Sequence, residues 1–339
     1  MRAPTLSGWT EQEIIAEIKQ IFSVSELAGP GAGWGSGLRL GIGDDAAILR
    51  IKAGQELVVT TDSAVEGEDF DFCCFPPDAI GYRAMQQNLS DLAAMGARPL
   101  AMFLVIAASP SMSRRHLKKI LQGMARAASA ASCQLAGGDL SSTSGPLNLT
   151  LTLLGTLPRG QALRRSTARC GDDLWVSGKI GEASCGLDAL LKRRRAVAST
   201  QALLKRLRGP DRVQHQKFLQ PQARLVLGEY LRARASACID LSDGLLADAR
   251  RLCSASRLAA YIDSARLPRS KNVSLHKALF GGEDFELLFC ANPAQRSLLR
   301  RWGRRHGIEL TKIGTMRQGK QVYVDGERLE SSPEFDHFS

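Results

Sequence analysis

Six aspartates, each in a short motif flanked by Gly, Ser or Thr, constrain this chain more than any other feature of its sequence. They are Asp44, Asp62, Asp91, Asp139, Asp240 and Asp243. If the fold brings them together, their carboxylates repel one another and any anionic ligand unless cations neutralise them. Hard oxygen ligands suit Mg²⁺, which is usually held by a few carboxylates together with substrate phosphates. The pattern therefore predicts an enzyme that binds a polyphosphate through several Mg²⁺ ions.

Length and composition indicate an ordinary soluble globular protein of two domains. The chain has 339 residues, of which 44% are hydrophobic and 23% are charged, and this length exceeds one average domain. We predict an N-terminal domain of residues 1–160 and a C-terminal domain of residues 161–339. The N-terminus lacks the apolar segment of a signal peptide, and the longest apolar run, residues 100–108, is too short to cross a bilayer. We therefore expect a cytoplasmic protein with no membrane partner.

Strand and helix patterns mix in both halves of the chain. Residues 57–61 predict a strand that ends at Asp62, and Asp78 predicts the start of a helix that runs to about Gly96. Asp91 falls in the middle of that helix, where it cannot act as a cap. Residues 137–145 are rich in Gly and predict a loop. The mixture predicts a mixed α/β (α+β) fold class.

The net charge of +11 is concentrated in one segment. Residues 192–234 contain twelve Lys and Arg against Asp211 and Glu229. Much of the segment has helical apolar spacing, so we interpret its basic residues as a solvated helical face. An RNA- or phosphate-attracting surface is the alternative. Since the rest of the chain is nearly neutral, nucleic acid is not an expected partner.

One other segment nearly matches a phosphate-binding loop. Residues 314–321 read Gly-Thr-Met-Arg-Gln-Gly-Lys-Gln, but Gln321 replaces the Ser or Thr that would bind Mg²⁺, and a strand pattern follows. We predict a hairpin turn at this position. Each aspartate motif, taken alone, also has a structural interpretation as a turn or a helix cap. Their joint occurrence, with Asp91 inside a helix, favours a metal site.

Seven motifs in a fixed order resemble those of thiamine-monophosphate kinases, within the superfamily of aminoimidazole-ribotide synthetase-like ATP-using enzymes. They occupy residues 41–47, 60–67, 88–97, 137–139, 240–244, 281–287 and 335–338. The resemblance implies two α/β domains and a homodimer in which the N-terminal sheets close into a barrel. It also implies direct transfer of the γ-phosphoryl group of ATP to thiamine monophosphate with several Mg²⁺ ions, which gives thiamine diphosphate and ADP.

The resemblance implies roles for individual residues. The implied magnesium ligands are Asp44, Thr60, Thr61, Asp62, Asp91, Asp139, Asp240 and Asp243. The residues expected to contact ATP are Gly138, Asp139, Arg165 and Ser242. Glu283 is expected to bind the thiamine pyrimidine, and Phe335 to pack against the thiamine rings. Because the acceptor is a phosphate oxygen, no general base is needed. Catalysis is expected to depend on Asp44, Asp91, Asp139 and Asp243.

One substrate-binding position departs from the family pattern. Where the family has a histidine that contacts substrate, this chain has Asp69, which puts a negative charge where a phosphate-bearing molecule should approach. Asp69 is therefore the reason to keep a second alternative, in which the protein is a phosphoryl-transfer enzyme of the same superfamily with a different acceptor. A non-catalytic nucleotide-binding paralogue, or an RNA-associated protein that acts through residues 192–234, is the third alternative. The presence of all six aspartates argues against lost catalysis.

Overall fold

The computed structural model describes residues 5–26, 37–193 and 197–329. The chain divides into two compact units. The N-terminal unit comprises the residues up to Leu92, Arg98–Arg159 and Leu190–Leu207. The C-terminal unit comprises Ala93–Ala97, Gly160–Ala189 and the residues from Arg208 onward.

Both units contain helices and strands, which is the predicted mixed α/β class. The helices are α1 Glu11–Glu26, α2 Pro77–Ala94, α3 Arg114–Ala130, α4 Glu182–Arg193, α5 Thr200–Leu204, α6 Gly209–Leu219, α7 Leu225–Leu231, α8 Leu245–Ser256, α9 Leu275–Phe280 and α10 Arg296–His306. The strands are β1 Leu38–Leu40, β2 Ile48–Leu49, β3 Gln55–Val65, β4 Arg98–Ala108, β5 Gln134–Ser142, β6 Asn148–Pro158, β7 Asp173–Ser177, β8 Ala235–Asp240, β9 Leu258–Ile262, β10 Leu287–Ala291, β11 Leu310–Gln318, β12 Val322–Val324 and β13 Glu327–Arg328. Within the described ranges, none of the helices combines the length and the apolar character that a bilayer span requires.

The N-terminal unit contains a four-stranded sheet in the order β3-β6-β4-β5. β6 pairs antiparallel with β3 and β4, whereas β4 and β5 are parallel. Burial alternates along β3, where Ala64 is 8% exposed and Val59 is 55% exposed. One face of β3 is therefore covered and the other is exposed. Thr60 and Asp62 share the covered face with Ala64, because alternate residues of a strand point the same way.

Helices α2 and α3 of the N-terminal unit cross at two glycines. A Cβ on Gly81 would lie 1.9 Å from Ile120 O, and a Cβ on Gly123 would lie 1.9 Å from Asp78 O. Both positions require glycine, because a larger residue would push the partner backbone away. The close crossing fixes the first turns of α2, and the later turns of this helix carry Asp91.

The C-terminal unit contains a seven-stranded mixed sheet in the order β13-β12-β9-β11-β7-β10-β8. Its strand β7 is buried along its whole length. Leu174 and Val176 belong to the apolar cluster that includes residues of α8. Trp175 belongs to a second cluster with Leu299 and Trp302 of α10. Both faces of the central strands are covered, so these strands read as continuous apolar runs rather than alternating ones.

The prediction of a loop over residues 137–145 is wrong for its first part, because β5 extends from Gln134 to Ser142. Parallel pairing with β4 outweighs the low strand propensity of the two glycines. A Cβ on Gly138 would lie only 1.8 Å from Leu104 O. Glycine at 138 is thus explained by close strand packing, and the Asp139 backbone belongs to a sheet rather than to a loop.

The prediction of a hairpin at residues 314–321 is also wrong. β11 and β12 are not neighbours, since β9 lies between them and pairs antiparallel with β11 and parallel with β12. A turn does lie between β11 and β12, but both strands pair with β9, which lies more than fifty residues earlier in the chain. A strand follows the turn, so the segment lacks the helix N-terminus that a phosphate-binding loop requires.

The interpretation of residues 192–234 as a solvated face is wrong for several of its cations, among them Lys217, Arg224 and Arg232. Lys217 and Arg224 both pair with Glu286, whose side chain is 1% exposed. The Arg224 side chain is therefore largely buried within the C-terminal unit, and the Lys217 side chain is half-buried there. Apolar spacing could not reveal this, because the acidic partner lies 62 residues beyond Arg224 in sequence.

Candidate active site

Two of the six aspartates meet on the covered side of β3. Asp62 is on β3 and Asp91 is on α2, and the Thr60 hydroxyl donates to Asp91 Oδ2 at 2.5 Å. Asp62 Oδ2 is buried and has no hydrogen-bond partner among the described residues. Burial raises the pKa of Asp62 to about 6, with further contributions from the charge and hydrogen bonding of Asp91. Every one of these influences disfavours the ionised carboxylate, so the pair is poised to receive a cation.

A second unpaired acceptor lies one helical turn before Asp91. Asn88 is 1% exposed, and its Nδ2 donates to Ala84 O at 3.0 Å. Its Oδ1 has no partner in the part of the chain that the structure describes. Residues three apart on a helix share a face, so Asn88 lies on the face that carries Asp91. Asn88 was not among the predicted site residues, although its spacing of three from Asp91 inside a helix was a signal for it.

Asp69 adds negative charge to the same region. Its charge is the smallest of the influences that raise the pKa of Asp62. Asp69 Oδ2 accepts a hydrogen bond from Val65 N at 2.8 Å. Asp69 N in turn donates to Val65 O at 2.9 Å. The aspartate thus closes the turn that follows β3, which gives it a structural contact in addition to its charge.

Three predicted ligands of the N-terminal unit do not join the Asp62–Asp91 pair, and the first two are Asp44 and Thr61. Asp44 is exposed, and its Oδ1 accepts from the neighbouring Asp45 N at 2.9 Å. Thr61 lies on the opposite face of β3 from Asp62, and its hydroxyl donates to Leu151 O at 3.1 Å. The alternation of the strand therefore separates the side chains of Thr60 and Thr61.

Strand register also separates Asp139 from Asp62. Asp139 pairs in register with Val105, whereas Asp62 belongs to the neighbouring register row of the sheet and points to the other face. The Asp139 carboxylate is exposed and accepts from Ser141 Oγ at 2.9 Å. Over residues 5–26, 37–193 and 197–329, no three His, Cys, Asp or Glu side chains form a ready-made metal cluster.

The aspartate motif of the C-terminal unit forms a turn between β8 and α8. The backbone N–H groups of Ser242 and Asp243 both donate to Asp248 Oδ2 at 3.1 Å. Burial and then the charge of Asp243 raise the pKa of Asp248 to about 6, while Arg251 opposes them. Asp248 was not among the predicted residues. Its signal was an acidic residue in the first turn of the helix that follows the motif.

Asp243 already has a cationic partner within its own unit. Arg251 Nη1 pairs with Asp243 Oδ2 and also lies 2.7 Å from Asp248 Oδ1. Arg165, predicted to contact ATP, is exposed at the start of a short 3₁₀ helix. Its carbonyl oxygen accepts from the Ser256 hydroxyl at 2.6 Å, which fixes this segment to the end of α8.

Glu283 is tied to the aspartate motif through the backbone. Glu283 N donates to Ser242 O at 2.7 Å, so two motifs that are forty residues apart form one local structure. Asp240, the last residue of β8, is 4% exposed and pairs in register with Leu287. Phe335 lies outside the described residues.

Comparison with known proteins identifies the family. Residues 43–157 match AIR synthase related protein, N-terminal domain, and residues 170–327 match AIR synthase related protein, C-terminal domain. The thiamine-monophosphate kinase of Escherichia coli strain K12 is 37% identical over 317 residues, which cover 89% of this chain and 93% of that protein.

Solved structures agree with this assignment. The crystal structure of thiamine-monophosphate kinase from Stenotrophomonas maltophilia K279a has a TM-score of 0.81 and 36% identity, and the match covers 92% of this chain and 97% of that chain. The structure of AaThiL complexed with AMPPCP and TMP has a TM-score of 0.72 and 27% identity over 98% of this chain and 97% of that chain. From the extent and identity of these matches, the chain belongs to the thiamine-monophosphate kinase family.

Proposed function

We propose that this protein transfers the γ-phosphoryl group of ATP to thiamine monophosphate and produces thiamine diphosphate and ADP. The observation that carries the proposal is membership of the thiamine-monophosphate kinase family over nearly the whole chain. AaThiL, which shares the fold, binds AMPPCP and TMP. The acceptor is an anionic phosphate oxygen, so the proposed reaction needs no general base. The protein has to bring two polyanions into line and neutralise their charge.

The Asp62–Asp91 pair fits Mg²⁺. Mg²⁺ takes oxygen ligands and is commonly held by one or two carboxylates together with substrate phosphates, so two aspartates are sufficient. Asp62 supplies a buried oxygen without a hydrogen-bond partner among the described residues. Thr60 holds Asp91 in place through its hydroxyl. Bound Mg²⁺ would supply charge neutralisation for the transferred phosphoryl group.

Residues of the C-terminal unit have proposed roles in binding the two substrates. We assign Arg165 and Ser242 to ATP and Glu283 to the thiamine pyrimidine. Asp243 can bind a metal ion only if it shares or exchanges its contact with Arg251. The remaining proposed site residues are Asp44, Thr61, Gly138, Asp139, Asp240 and Phe335.

We also propose that the protein is a homodimer whose N-terminal sheets close a barrel. Within the described residues the four-stranded sheet of one chain is open. Its uncovered face carries Leu57, Val59 and Val105, which are 43%, 55% and 38% exposed. Apolar side chains grouped on one sheet face favour burial against a partner. Light scattering after size-exclusion chromatography tests this, and Val59→Glu should shift the mass toward the monomer.

A direct assay tests the activity. Purified protein is incubated with ATP, Mg²⁺ and thiamine monophosphate, and thiamine diphosphate is measured by chromatography. Omission of Mg²⁺, or addition of a chelator, should abolish product formation. Absence of thiamine diphosphate from the complete mixture would contradict the proposal.

Asp69 is the observation that favours a second candidate, a kinase of the same superfamily with a different acceptor. Its carboxylate adds negative charge near the proposed metal ligands, and this charge contributes to the raised pKa of Asp62. A panel of phosphorylated and unphosphorylated acceptors in the same assay separates the two candidates. Faster turnover of an acceptor other than thiamine monophosphate would favour the second.

A further inference from the structure

Glu286 is buried just beyond Glu283 and is surrounded by donors. Ser177 Oγ donates to Glu286 Oε2 at 2.6 Å, and Lys217 Nζ lies 3.2 Å from Oε1. Arg224 donates through Nε to Oε2 at 2.6 Å and through Nη2 to Oε1. A bidentate arginine fixes both the position and the plane of a carboxylate. The side chain of Glu286 therefore has one defined orientation.

The backbone at Gly178 packs closely against this carboxylate. A Cβ on Gly178 would lie 2.1 Å from Glu286 Oε1, and Gly178 has a φ of +60°. Glycine alone tolerates both the close contact and the left-handed backbone. The sequence thus provides a recess that fits the Glu286 carboxylate.

Backbone hydrogen bonds join the Glu286 segment to the aspartate motif at residues 240–244. Glu286 O accepts from Leu241 N at 2.8 Å, and Phe285 N donates to Leu241 O at 2.9 Å. Glu283 N donates to Ser242 O at 2.7 Å. Three backbone hydrogen bonds, made by Glu283, Phe285 and Glu286, therefore set the position of Glu283. The Glu286 carboxylate belongs to one of the three residues that make these bonds.

Glu283 needs such support, because its backbone conformation is disfavoured. Glu283 and Phe285 have φ values of +71° and +49°, which residues with a Cβ rarely adopt. Backbone of this kind persists where surrounding contacts over-determine it. Asp284 supplies one such contact, since its carboxylate accepts from Gly181 N at 2.6 Å and Ala183 N at 3.2 Å. Glu286 supplies the other on the opposite side of Phe285.

We propose that Glu286, clamped by Arg224, is a positioning residue that holds Glu283 in the conformation that binds thiamine monophosphate. This inference rests on the proposed function, which assigns Glu283 to the substrate. Neither Glu286 nor Arg224 needs to touch the substrate. Loss of the clamp should weaken substrate binding and leave the chemical step nearly unchanged.

The same unit contains a matched control. Asp173 has a side chain that is 1% exposed and is bound by Arg296 and Lys312, just as Glu286 is bound by Arg224 and Lys217. Asp173 begins β7, and Ser177, which contacts Glu286, ends it. The two clusters therefore lie at opposite ends of one strand, and Glu286 is the acid that belongs to the segment containing Glu283.

The test compares steady-state kinetics of wild type, Arg224→Met, Arg224→Lys, Glu283→Gln, the Arg224→Met/Glu283→Gln double variant and Arg296→Met. We expect Arg224→Met to raise KM for thiamine monophosphate about tenfold and to change kcat less than about twofold. Arg224→Lys restores the charge without the fork and should recover part of the loss. Arg296→Met should leave KM unchanged. Partial unfolding lowers the concentration of active enzyme, and so the apparent kcat, but does not change KM.

The double variant decides whether Arg224 acts through Glu283. If it does, KM of the double variant should equal that of Glu283→Gln, because the second change removes nothing further. An unchanged KM in Arg224→Met, or KM changes that multiply in the double variant, would refute the positioning role. Both of these outcomes presuppose an active wild type. An inactive wild type would instead refute the proposed function, and the inference with it.

Discussion

Buried acids in the two units differ in what neutralises them. Glu286 in the C-terminal unit receives an arginine fork, a lysine and a serine hydroxyl. Asp62 in the N-terminal unit lies beside Asp91, and one of its oxygens has no hydrogen-bond partner among the described residues. The first acid is part of a completed ion cluster, whereas the second is destabilised by its surroundings.

In the proposed function, this difference separates acids that serve folding from acids that serve a ligand. A carboxylate that the protein pairs internally gains stability from its partners and loses it when one is removed. A carboxylate placed beside another carboxylate costs stability until a cation arrives. All six aspartates were predicted to be magnesium ligands, but Asp62 and Asp91 differ from Asp243, which has Arg251 as its partner.

The largest expected effect is on catalysis in the N-terminal unit. Asp62→Asn removes a proposed metal ligand, so kcat/KM should fall at least about 100-fold. The same change removes a repulsive charge, so the metal-free protein should gain on the order of 1 kcal/mol in unfolding free energy after allowance for solvent screening. Initial rates and urea unfolding measure the two quantities.

Ser63→Ala is the control for Asp62→Asn. Ser63 is the next residue of β3, and its hydroxyl contacts Thr150 Oγ1 on the opposite face at 2.8 Å. Ser63→Ala should leave both kcat/KM and the unfolding free energy nearly unchanged. Loss of activity together with loss of stability in Asp62→Asn would contradict the comparison, because Asp62 would then behave as a structural acid.

In the C-terminal unit the stability effect should be larger and of opposite sign. Glu286→Ala leaves Arg224 and Lys217 close together without their shared acid. Removing one partner of a buried ion pair typically costs about 3–5 kcal/mol, and we expect a loss of this order in urea unfolding. A variant as stable as wild type would show that the cluster is not an internal anchor.

Stability should depend on pH through a third acid, Asp284. Burial, with a smaller contribution from Glu286, raises the pKa of Asp284 to about 7, against the opposing bonds from Gly181 and Ala183. The folded state therefore retains a proton that the unfolded state releases near pH 4, and this contribution to stability is lost as pH rises from about 4 to about 7. Asp284→Asn should flatten the dependence over this window, by about 3 kcal/mol.

Metal-free protein unfolded in urea at several pH values between 4.5 and 7.5 provides the measurement. Asp248, whose pKa is raised to about 6, contributes in the same direction and should leave a residual slope in Asp284→Asn. An unaltered slope in this variant would mean that Asp284 is ionised in the folded protein throughout the window.

Local patterns predicted the elements of the site better than their partners. The helix signals at Asp78 placed Asp91 correctly inside α2, which runs from Pro77 to Ala94. The strand through Asp62 was recognised, although it continues to Val65. A continuous strand through residue 62 would have predicted that Thr60 and Asp62 share a face and Thr61 does not.

Contacts between distant segments could not be predicted in this way. Asp139 was expected in a loop, because the two glycines before it have low strand propensity and the sequence nearby does not indicate the parallel pairing with β4. The sequence predicts Arg224 on a solvated face, since nothing near it in sequence identifies Glu286 as its partner. Propensity and spacing act over a few residues, whereas strand partners and buried ion pairs depend on the completed fold.

The smallest expected effect tests the comparison without any catalysis. Mg²⁺ that binds only the folded protein stabilises it by RT ln(1 + [Mg²⁺]/Kd), which is about 1.4 kcal/mol at ten times Kd. Wild type should therefore unfold at a higher temperature when MgCl₂ is added, by about 3 °C. Asp62→Asn should lose this shift, while Arg296→Met, which alters only the Asp173 cluster, should keep it at a lower baseline. Equal shifts in wild type and Asp62→Asn, measured against NaCl of the same ionic strength, would mean that the cation binds elsewhere. The unpaired oxygen of Asp62 would then need another explanation.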